Sequence, residues 1–303
     1  MKIVVLGAGA MGSIYGGYLS QANETLLVDV NADLVEKINR EGVEIEYEGR
    51  LETFHPKAAT DTRGMPPADL VMIFMNTRFS KSALDANRGL IGKDTCLMTL
   101  QNGAGHETLL RNYADDAHII IGTTEDNGTP LGLGKARRGG VGVTNIGMLV
   151  PDTLGNLPKI ADAFRSGGFD PRIHEDIRKL IWDKLFTNVS LSALTAVLQV
   201  DMGFIAENAH AWEMARGLIH EAVLTANAIG VACDEEAVAE KVRATSLRTP
   251  QGVTSIRRDL AQGRKTEVDT ISGAVVAAAR DAGIPVPRHE FIVRMVHAME
   301  ERP

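Results

Sequence analysis

The first half of this 303-residue sequence predicts an α/β fold class, and the second half predicts an all-helical domain. Three observations lead to this prediction. A continuous apolar run over residues 3–6 is typical of a buried parallel strand. A glycine-rich turn over residues 7–12 follows it and leads into a predicted helix. From about residue 174 onward the apolar residues recur at helical spacing, and no further strand is apparent.

The glycine-rich turn has the G-x-G-x-x-G spacing of a dinucleotide-binding turn. Gly7 permits the tight turn, Gly9 lets the backbone approach a pyrophosphate, and Gly12 lets the helix pack closely on the strand. The start of the helix then offers unpaired N–H groups and a partial positive charge to the phosphates. We therefore predict a Rossmann-type domain whose dinucleotide lies on Gly7, Ala8, Gly9, Ala10, Met11 and Gly12.

The second predicted strand covers residues 25–28 and ends at Asp29. A carboxylate at this point accepts hydrogen bonds from the adenosine ribose hydroxyls and repels a 2′-phosphate. No arginine follows closely, so Asp29 favours NAD(H) over NADP(H) as the cofactor. The alternative interpretation is an ordinary turn aspartate.

Three more apolar strands are predicted, and each leads into a polar residue. The strands cover residues 69–75, 95–100 and 119–121. They lead to Asn76, Asn102 and Thr123. Because ligands bind beyond the carboxyl ends of the strands in an open α/β sheet, we predict that Asn76, Asn102 and Thr123 contact the cofactor or the substrate. For Asn76 and Thr123 a turn or capping role is the alternative.

Two β insertions are predicted around these strands. Residues 43–60 have the alternation of a short β excursion. Residues 128–147 are rich in glycine, and the alternation over residues 141–145 predicts a hairpin added to the edge of the sheet. We interpret Arg137-Arg138 within it as a solvated turn, and a contact with an anion is the alternative.

The remaining apolar periodicity predicts helices. They cover residues 157–166, 175–199, 204–229, 234–246, 252–262, 266–282 and 288–301. Glycine and proline mark a boundary near residue 170. We therefore predict a Rossmann domain over residues 1–170 and a helical domain for substrate binding and dimerisation over residues 171–303. The expected assembly is a homodimer, because homodimers are the commonest soluble oligomers.

Composition and charge exclude several other classes of protein. The net charge of −7 leaves no general basic surface for nucleic acid or anionic lipid. No apolar run approaches the ~18 residues of a membrane span, and we expect a cytoplasmic protein. Cys96, Cys233 and the eight histidines have no metal-ligand spacing, so we expect reduced thiols and no metal site.

A polar stripe runs along the predicted helix over residues 175–199. Lys184, Asn188 and Ser192 recur at every fourth residue and share one face, whereas their neighbours are mostly apolar. A lysine is rarely buried without a partner, so the stripe lines a cleft or Lys184 pairs with a distant acid. Glu267, at the start of a predicted helix, is the best candidate acid. The alternatives are a lysine that reaches to solvent and an acid that only complements a helix dipole.

These motifs together resemble those of the ketopantoate reductase (2-dehydropantoate 2-reductase) family. In the first half the resemblance lies in residues 7–12, in Gln101-Asn102-Gly103-Ala104-Gly105 and in Gly122-Thr123-Thr124. In the second half it lies in Trp182-Asp183-Lys184-Leu185 with Asn188, and in residues 255–260, 264–269 and 283–287. The match covers nearly the whole chain.

The resemblance implies stereospecific reduction of a small 2-oxo acid by NAD(P)H. It implies that Lys184 is the general acid, which polarises the carbonyl and protonates the nascent alkoxide. Glu267 then orients the cofactor, the lysine and the substrate. The resemblance also puts Asn102 between nicotinamide and substrate, and Ala104 beside the cofactor. The implied substrate contacts are Asn102, Lys184, Asn188, Ser192 and Ser255.

The sequence departs from the family pattern at three of these positions. Asn76 stands where members usually have a lysine, Ser192 where they have a second asparagine, and Asp29 where NADPH-using members have a polar or basic residue. A 2-oxo acid other than ketopantoate therefore stays open. A second hypothesis is a non-catalytic protein that senses a dinucleotide or binds a partner through the Rossmann site.

Overall fold

The computed structural model describes residues 1–140 and 142–302, which form two compact units. Residues 1–101 and 106–177 make up the first unit, and residues 102–105 join the described residues from 178 onward in the second. The first unit is an α/β structure with a mostly parallel sheet, and the second is helical. The predicted fold class is confirmed.

The first unit contains twelve described strands and five described helices. The strands are β1 (Lys2–Leu6), β2 (Glu24–Val28), β3 (Val43–Tyr47), β4 (Arg50–Phe54), β5 (Lys57–Ala59), β6 (Leu70–Ile73), β7 (Cys96–Thr99), β8 (Ile119–Thr124), β9 (Asn127–Gly132), β10 (Lys135–Gly140), β11 (Val143–Gly147) and β12 (Asp170–Ile173). The helices are α1 (Ala10–Leu19), α2 (Ala32–Glu41), α3 (Ser80–Ala86), α4 (His106–Leu110) and α5 (Asn156–Ser166).

Eight strands form the main sheet in the order β12-β11-β8-β7-β6-β1-β2-β5. Neighbouring strands are parallel except for the antiparallel pair β8 and β11. The inner strands β1, β6 and β7 are almost entirely buried, as expected for a sheet covered on both faces. Because β12 pairs with β11, the first unit extends past the predicted boundary at residue 170.

The predicted hairpin is present, but its place in the fold was predicted wrongly. β9 and β10 form an antiparallel pair, and β10 pairs with β3 to give a second sheet in the order β4-β3-β10-β9. A cross-strand ion pair of 2.9 Å between Arg137 and Glu46 supports this pairing. Val143 and Asn145 belong to β11 in the main sheet. Val141, part of the predicted alternation, lies outside the described residues.

Arg138 is buried, so its interpretation as part of a solvated turn was wrong. Its side chain is 3% exposed, and its Nε donates a 2.7 Å hydrogen bond to the buried carboxylate of Asp126. The guanidinium carbon lies 4.8 Å from the centre of the Tyr18 ring and 4.9 Å from that of Phe169. The carboxylate and the two ring faces together compensate the loss of hydration of this cation.

The second unit contains seven described helices around one apolar core. They are α6 (Ile177–Leu198), α7 (Met202–Glu207), α8 (Ala209–Ala228), α9 (Glu235–Arg248), α10 (Ser255–Ala261), α11 (Ser272–Ala282) and α12 (Pro287–Glu300). The predicted helix 204–229 is divided because Asn208 caps α8 and accepts hydrogen bonds from the His210 and Ala211 amides. None of the described helices is long and apolar enough to cross a membrane.

Candidate active site

The glycine-rich turn lies between β1 and α1, and its three glycines are required for different reasons. Gly7 has a φ of +94°, and a Cβ there would lie 2.9 Å from the backbone nitrogen of Met75. A Cβ on Gly12 would overlap the carbonyl oxygen of Gly7. A Cβ on Gly9 would meet no described atom within 4 Å. Gly7 and Gly12 therefore serve the fold, whereas Gly9 leaves open space above the turn.

The start of α1 fits a phosphate group. Gly9 is the N-cap residue, and among the described residues no side chain caps the helix and no acidic residue lies in its first turn. The first amides, those of Ala10 and Met11 among them, therefore stay available to an anion at the positive end of the helix dipole. Together with the open space at Gly9, this geometry fits the pyrophosphate of a dinucleotide.

Asp29 connects the glycine-rich turn to the end of β2. One carboxylate oxygen accepts a 2.9 Å hydrogen bond from the Ala8 amide, and the other accepts one of 3.0 Å from the Asn31 amide. A carboxylate has about four lone-pair sites, so Asp29 retains capacity for the ribose hydroxyls. The turn role and the ribose role are therefore compatible.

A cavity of about 690 Å³ lies beside Gly7 and Asp29 in the first unit. Its wall includes Thr60, Arg63 and Phe79, besides Met75. Sequence reasoning missed Thr60 and Arg63, because they follow β5 and come close to Asp29 only through the pairing of β5 with β2. The size and position of the cavity fit the adenosine part of a dinucleotide.

Asn76 follows β6 and caps the 3₁₀ turn Thr77–Phe79, since its side-chain oxygen accepts a 3.3 Å hydrogen bond from the Arg78 amide. This is the capping role that the sequence left open as the alternative. A contact of Asn76 with the cofactor stays a prediction.

In the second unit, α6 carries Lys184, Asn188 and Ser192 at every fourth residue. The core takes up the neighbouring positions, with Trp182, Leu185, Phe186 and Val189 buried. Lys184 and Asn188 are half-buried, and Ser192 is buried. The polar stripe is therefore a feature of the folded helix.

Ser255 comes close to the end of this stripe through a residue that sequence reasoning missed. Thr254 is the N-cap residue of α10, and its hydroxyl donates a 3.3 Å hydrogen bond to the carbonyl of Ser192. It also shares a 2.8 Å hydrogen bond with the hydroxyl of Thr195. The start of α10, where Ser255 lies, is thus fixed on α6 beside Ser192.

Glu267 lies in a turn before α11, which corrects the prediction of a helix from residue 266. The carbonyl of Thr270, which a longer helix would use internally, accepts a 3.3 Å hydrogen bond from the Ala104 amide. Gly103 has a φ of +103°, and a Cβ there would overlap the same carbonyl. The loop of residues 102–105 therefore holds the turn in place, and α11 begins at Ser272. With its amide bound to Thr270, Ala104 also packs against the core of this unit.

Asn102 and Glu267 meet at this turn. The Asn102 side-chain amide donates a 3.4 Å hydrogen bond to the Glu267 carboxylate. Burial raises the pKa of Glu267 above its ordinary value, and the charge of Asp259 adds to this rise. The hydrogen bond from Asn102 and the positive charge of Lys184 oppose the rise without cancelling it. The Asn102 amide and the Lys184 charge therefore both favour the ionised form of Glu267.

Comparison with known proteins supports a single family over almost the whole chain. The model described as "Ketopantoate reductase PanE/ApbA" matches residues 3–151, and its C-terminal counterpart matches residues 176–300. The 2-dehydropantoate 2-reductase of Halobacterium salinarum is 31% identical over 95% of each chain. That of Streptococcus pyogenes serotype M6 is 30% identical over 99% of this chain and 98% of its own.

Solved structures resemble this chain over almost its whole length. D-mandelate dehydrogenase in complex with NADH and anilino(oxo)acetate superposes with a TM-score of 0.91 at 27% identity, over 99% of this chain and 98% of its own. A PanE/ApbA family ketopantoate reductase from Ralstonia eutropha gives a TM-score of 0.88 at 27% identity, over 99% of each chain.

Proposed function

The chain belongs to the ketopantoate reductase family, and on this basis we propose that it reduces 2-dehydropantoate or a closely related 2-oxo acid, with NADH as the favoured cofactor. Family membership makes it a nicotinamide-dependent 2-oxo acid reductase. The observation that carries the site assignment is the hydrogen bond from Asn102 to the Glu267 carboxylate, whose pKa the charge of Lys184 also lowers. The non-catalytic hypothesis is not favoured, since the curated relatives are reductases.

The proposed mechanism assigns a role to each polar side chain of the second unit. When bound, the reduced dinucleotide supplies a hydride to C2 of the 2-oxo acid. The Lys184 ammonium polarises the carbonyl and donates its proton to the oxygen as negative charge develops there, which gives the 2-hydroxy acid. Lys184 then regains a proton from solvent. Glu267 and Asn102 orient the lysine and the substrate.

Asn188, Ser192 and Ser255 complete the proposed substrate site. Amide and hydroxyl groups at these positions bind the substrate carboxylate and its side chain. Thr254 supports this assignment, because it joins the backbone at Ser192 to the start of α10.

Replacement of Lys184 tests the proposed reaction. We expect Lys184→Ala to lower kcat at least ~100-fold, the usual contribution of general acid catalysis, and to leave the dissociation constant for NADH within about twofold. Oxidation of NADH by the 2-oxo acid is followed by absorbance. Lys179→Ala removes the same charge from an exposed position of α6 and is the control. Wild-type turnover in Lys184→Ala would refute the assignment.

The preference for NADH rests on Asp29, whose carboxylate repels a 2′-phosphate. We expect Asp29→Ala to raise kcat/KM for NADPH relative to NADH by about tenfold or more, which corresponds to roughly 1.4 kcal/mol. Asp33→Ala removes a charge from the first turn of α2 and should leave the ratio unchanged. If neither variant changes the ratio, Arg63 in the same cavity becomes the residue to replace.

A second candidate substrate is a 2-oxo acid with an apolar or aromatic side chain. Ser192 is buried and shorter than the asparagine of the family pattern, so the site offers one amide fewer to a polar side chain. The similarity to D-mandelate dehydrogenase supports this alternative. Parallel kcat/KM measurements with 2-dehydropantoate and an aryl 2-oxo acid distinguish the two substrates.

We further propose a cytoplasmic homodimer. Cys96 and Cys233 are both free thiols, which supports a reducing compartment. Light scattering of the purified protein measures the mass in solution, and a mass of one chain would refute the dimer.

A further inference from the structure

The last turn of α12 carries a buried carboxylate. The Glu300 side chain is only 2% exposed, although it lies close to the end of the described chain. It accepts a 2.7 Å hydrogen bond from the backbone amide of Thr266 and forms a 3.3 Å ion pair with Lys265. A buried carboxylate is retained only where such partners compensate its lost hydration. Glu300 is therefore hydrogen-bonded to Thr266, the residue that precedes Glu267.

His297, one turn earlier on α12, binds two carboxylates at once. Its Nδ1 lies 3.0 Å from Glu300, and its Nε2 lies 3.0 Å from Asp269. Carboxylates are acceptors only, and both ring nitrogens can donate at once only in the positively charged ring. The hydrogen bond to Glu300 accordingly raises the pKa of His297 above its ordinary value. Burial alone would raise the pKa of Glu300, but the hydrogen bonds from Thr266, His297 and Lys265 outweigh it and bring the pKa to about 2.

The two side chains hold the turn on both sides of Glu267. Glu300 holds Thr266, and His297 holds Asp269. Within the turn, the Glu267 carbonyl accepts hydrogen bonds from the Thr270 and Ile271 amides. The loop of residues 102–105 binds the other end of the turn at Thr270.

We propose that Glu300 and His297 are positioning residues, which hold the turn of residues 265–270 so that the Glu267 carboxylate stays beside Asn102. The inference rests on the proposed catalytic role of Glu267. A displacement of about 1 Å in a positioned group costs up to ~100-fold in rate. Loss of either side chain should therefore lower the rate, although neither side chain is assigned a contact with the substrate.

Replacement of Glu300 separates positioning from stability. In Glu300→Ala we expect kcat to fall about tenfold or more, while the dissociation constant for NADH stays within about twofold. Glu300→Gln should recover part of this loss, because its amide oxygen still accepts the Thr266 hydrogen bond. Glu290→Ala removes an ion pair with Arg294 on the same helix and should keep wild-type kcat. Melting temperatures of all variants are measured alongside.

Hydrogen exchange provides a second readout that is independent of turnover. His297→Gln leaves Glu300 on Thr266, so the variant is expected to fold, and we expect faster exchange confined to residues 265–271. Unchanged exchange in this segment, or wild-type kcat in both Glu300→Ala and His297→Gln, would overturn the inference. If none of the 2-oxo acids supports oxidation of NADH by the wild-type protein, the proposed function is refuted instead. The exchange data would still decide whether the two residues order the turn.

Discussion

His289 is fully buried in α12, and among the described residues neither of its ring nitrogens has a hydrogen-bond partner. Burial penalises the charged ring and lowers the pKa of His289 to about 4. The histidine therefore behaves as a neutral core residue at physiological pH. It is the opposite of His297 on the same helix, whose pKa two carboxylates raise.

The buried His289 predicts loss of stability in mild acid. Its pKa in the folded protein lies below the ordinary value of about 6.5, so the unfolded chain takes up the proton first. Its contribution to stability is complete above about pH 6.5 and falls by up to roughly 1.4 kcal/mol per pH unit as the pH drops towards 4. Urea unfolding at several pH values should therefore show a shallower pH dependence for His289→Leu than for wild type. His210→Leu, at an exposed position of α8, should keep the wild-type dependence.

The stabilising contribution of His297 depends on pH in the opposite direction to that of His289. Its folded pKa lies above the ordinary value, so its stabilising contribution is complete below that value and is lost as the pH rises through the folded pKa. Since its side chain is 38% exposed, solvent screens this contribution.

At the scale of elements, the turn between β1 and α1 has one glycine that we expect to matter for folding and another that we expect to matter for binding. A Cβ on Gly12 would overlap the Gly7 carbonyl, whereas a Cβ on Gly9 would meet open space. We expect Gly12→Ala to lower the free energy of unfolding by about 1–3 kcal/mol, the usual cost of overpacking. Gly9→Ala should keep the wild-type melting temperature and weaken NADH binding about tenfold or more, because the methyl group occupies the space of the pyrophosphate. NADH fluorescence titration and thermal melts measure both effects, and normal NADH affinity in Gly9→Ala would contradict the proposed position of the phosphates.

Elements formed by interactions between neighbouring residues were predicted accurately, whereas those that depend on contacts between distant residues were not. The strands β1, β2, β6 and β7 lie within a few residues of their predicted positions, because their apolar runs are continuous. The predicted helix 266–282 begins six residues late, since the carbonyl of Thr270 accepts a hydrogen bond from Ala104 in the distant loop of residues 102–105. The hairpin partner was missed because β3 and β10 lie far apart in the sequence.

At the scale of the whole molecule, the glycine-rich turn, Asp29 and the cavity beside them all lie in the first unit. Binding to the folded state alone stabilises a protein by mass action, by about 2.7 kcal/mol at a ligand concentration 100 times the dissociation constant. NADH should therefore raise the melting temperature of the wild type and of Lys184→Ala alike. With binding tenfold weaker, the same NADH concentration should stabilise Gly9→Ala by about half as much or less. A stabilisation that disappears with Lys184→Ala would contradict the division of roles between the two units.

Local sequence patterns were enough to predict the fold class, the glycine-rich turn, Asp29 at the end of β2, and the common face of Lys184, Asn188 and Ser192. Each of these depends on residues that are close together in the chain, where backbone geometry and helical or strand periodicity act directly. The folded structure was needed to find the turn around Glu267, the contacts of Glu300 and His297 with that turn, the burial of Arg138 and the partner of β10. These features join residues that lie far apart in the sequence, and packing and desolvation of the folded chain, rather than local preference, select them.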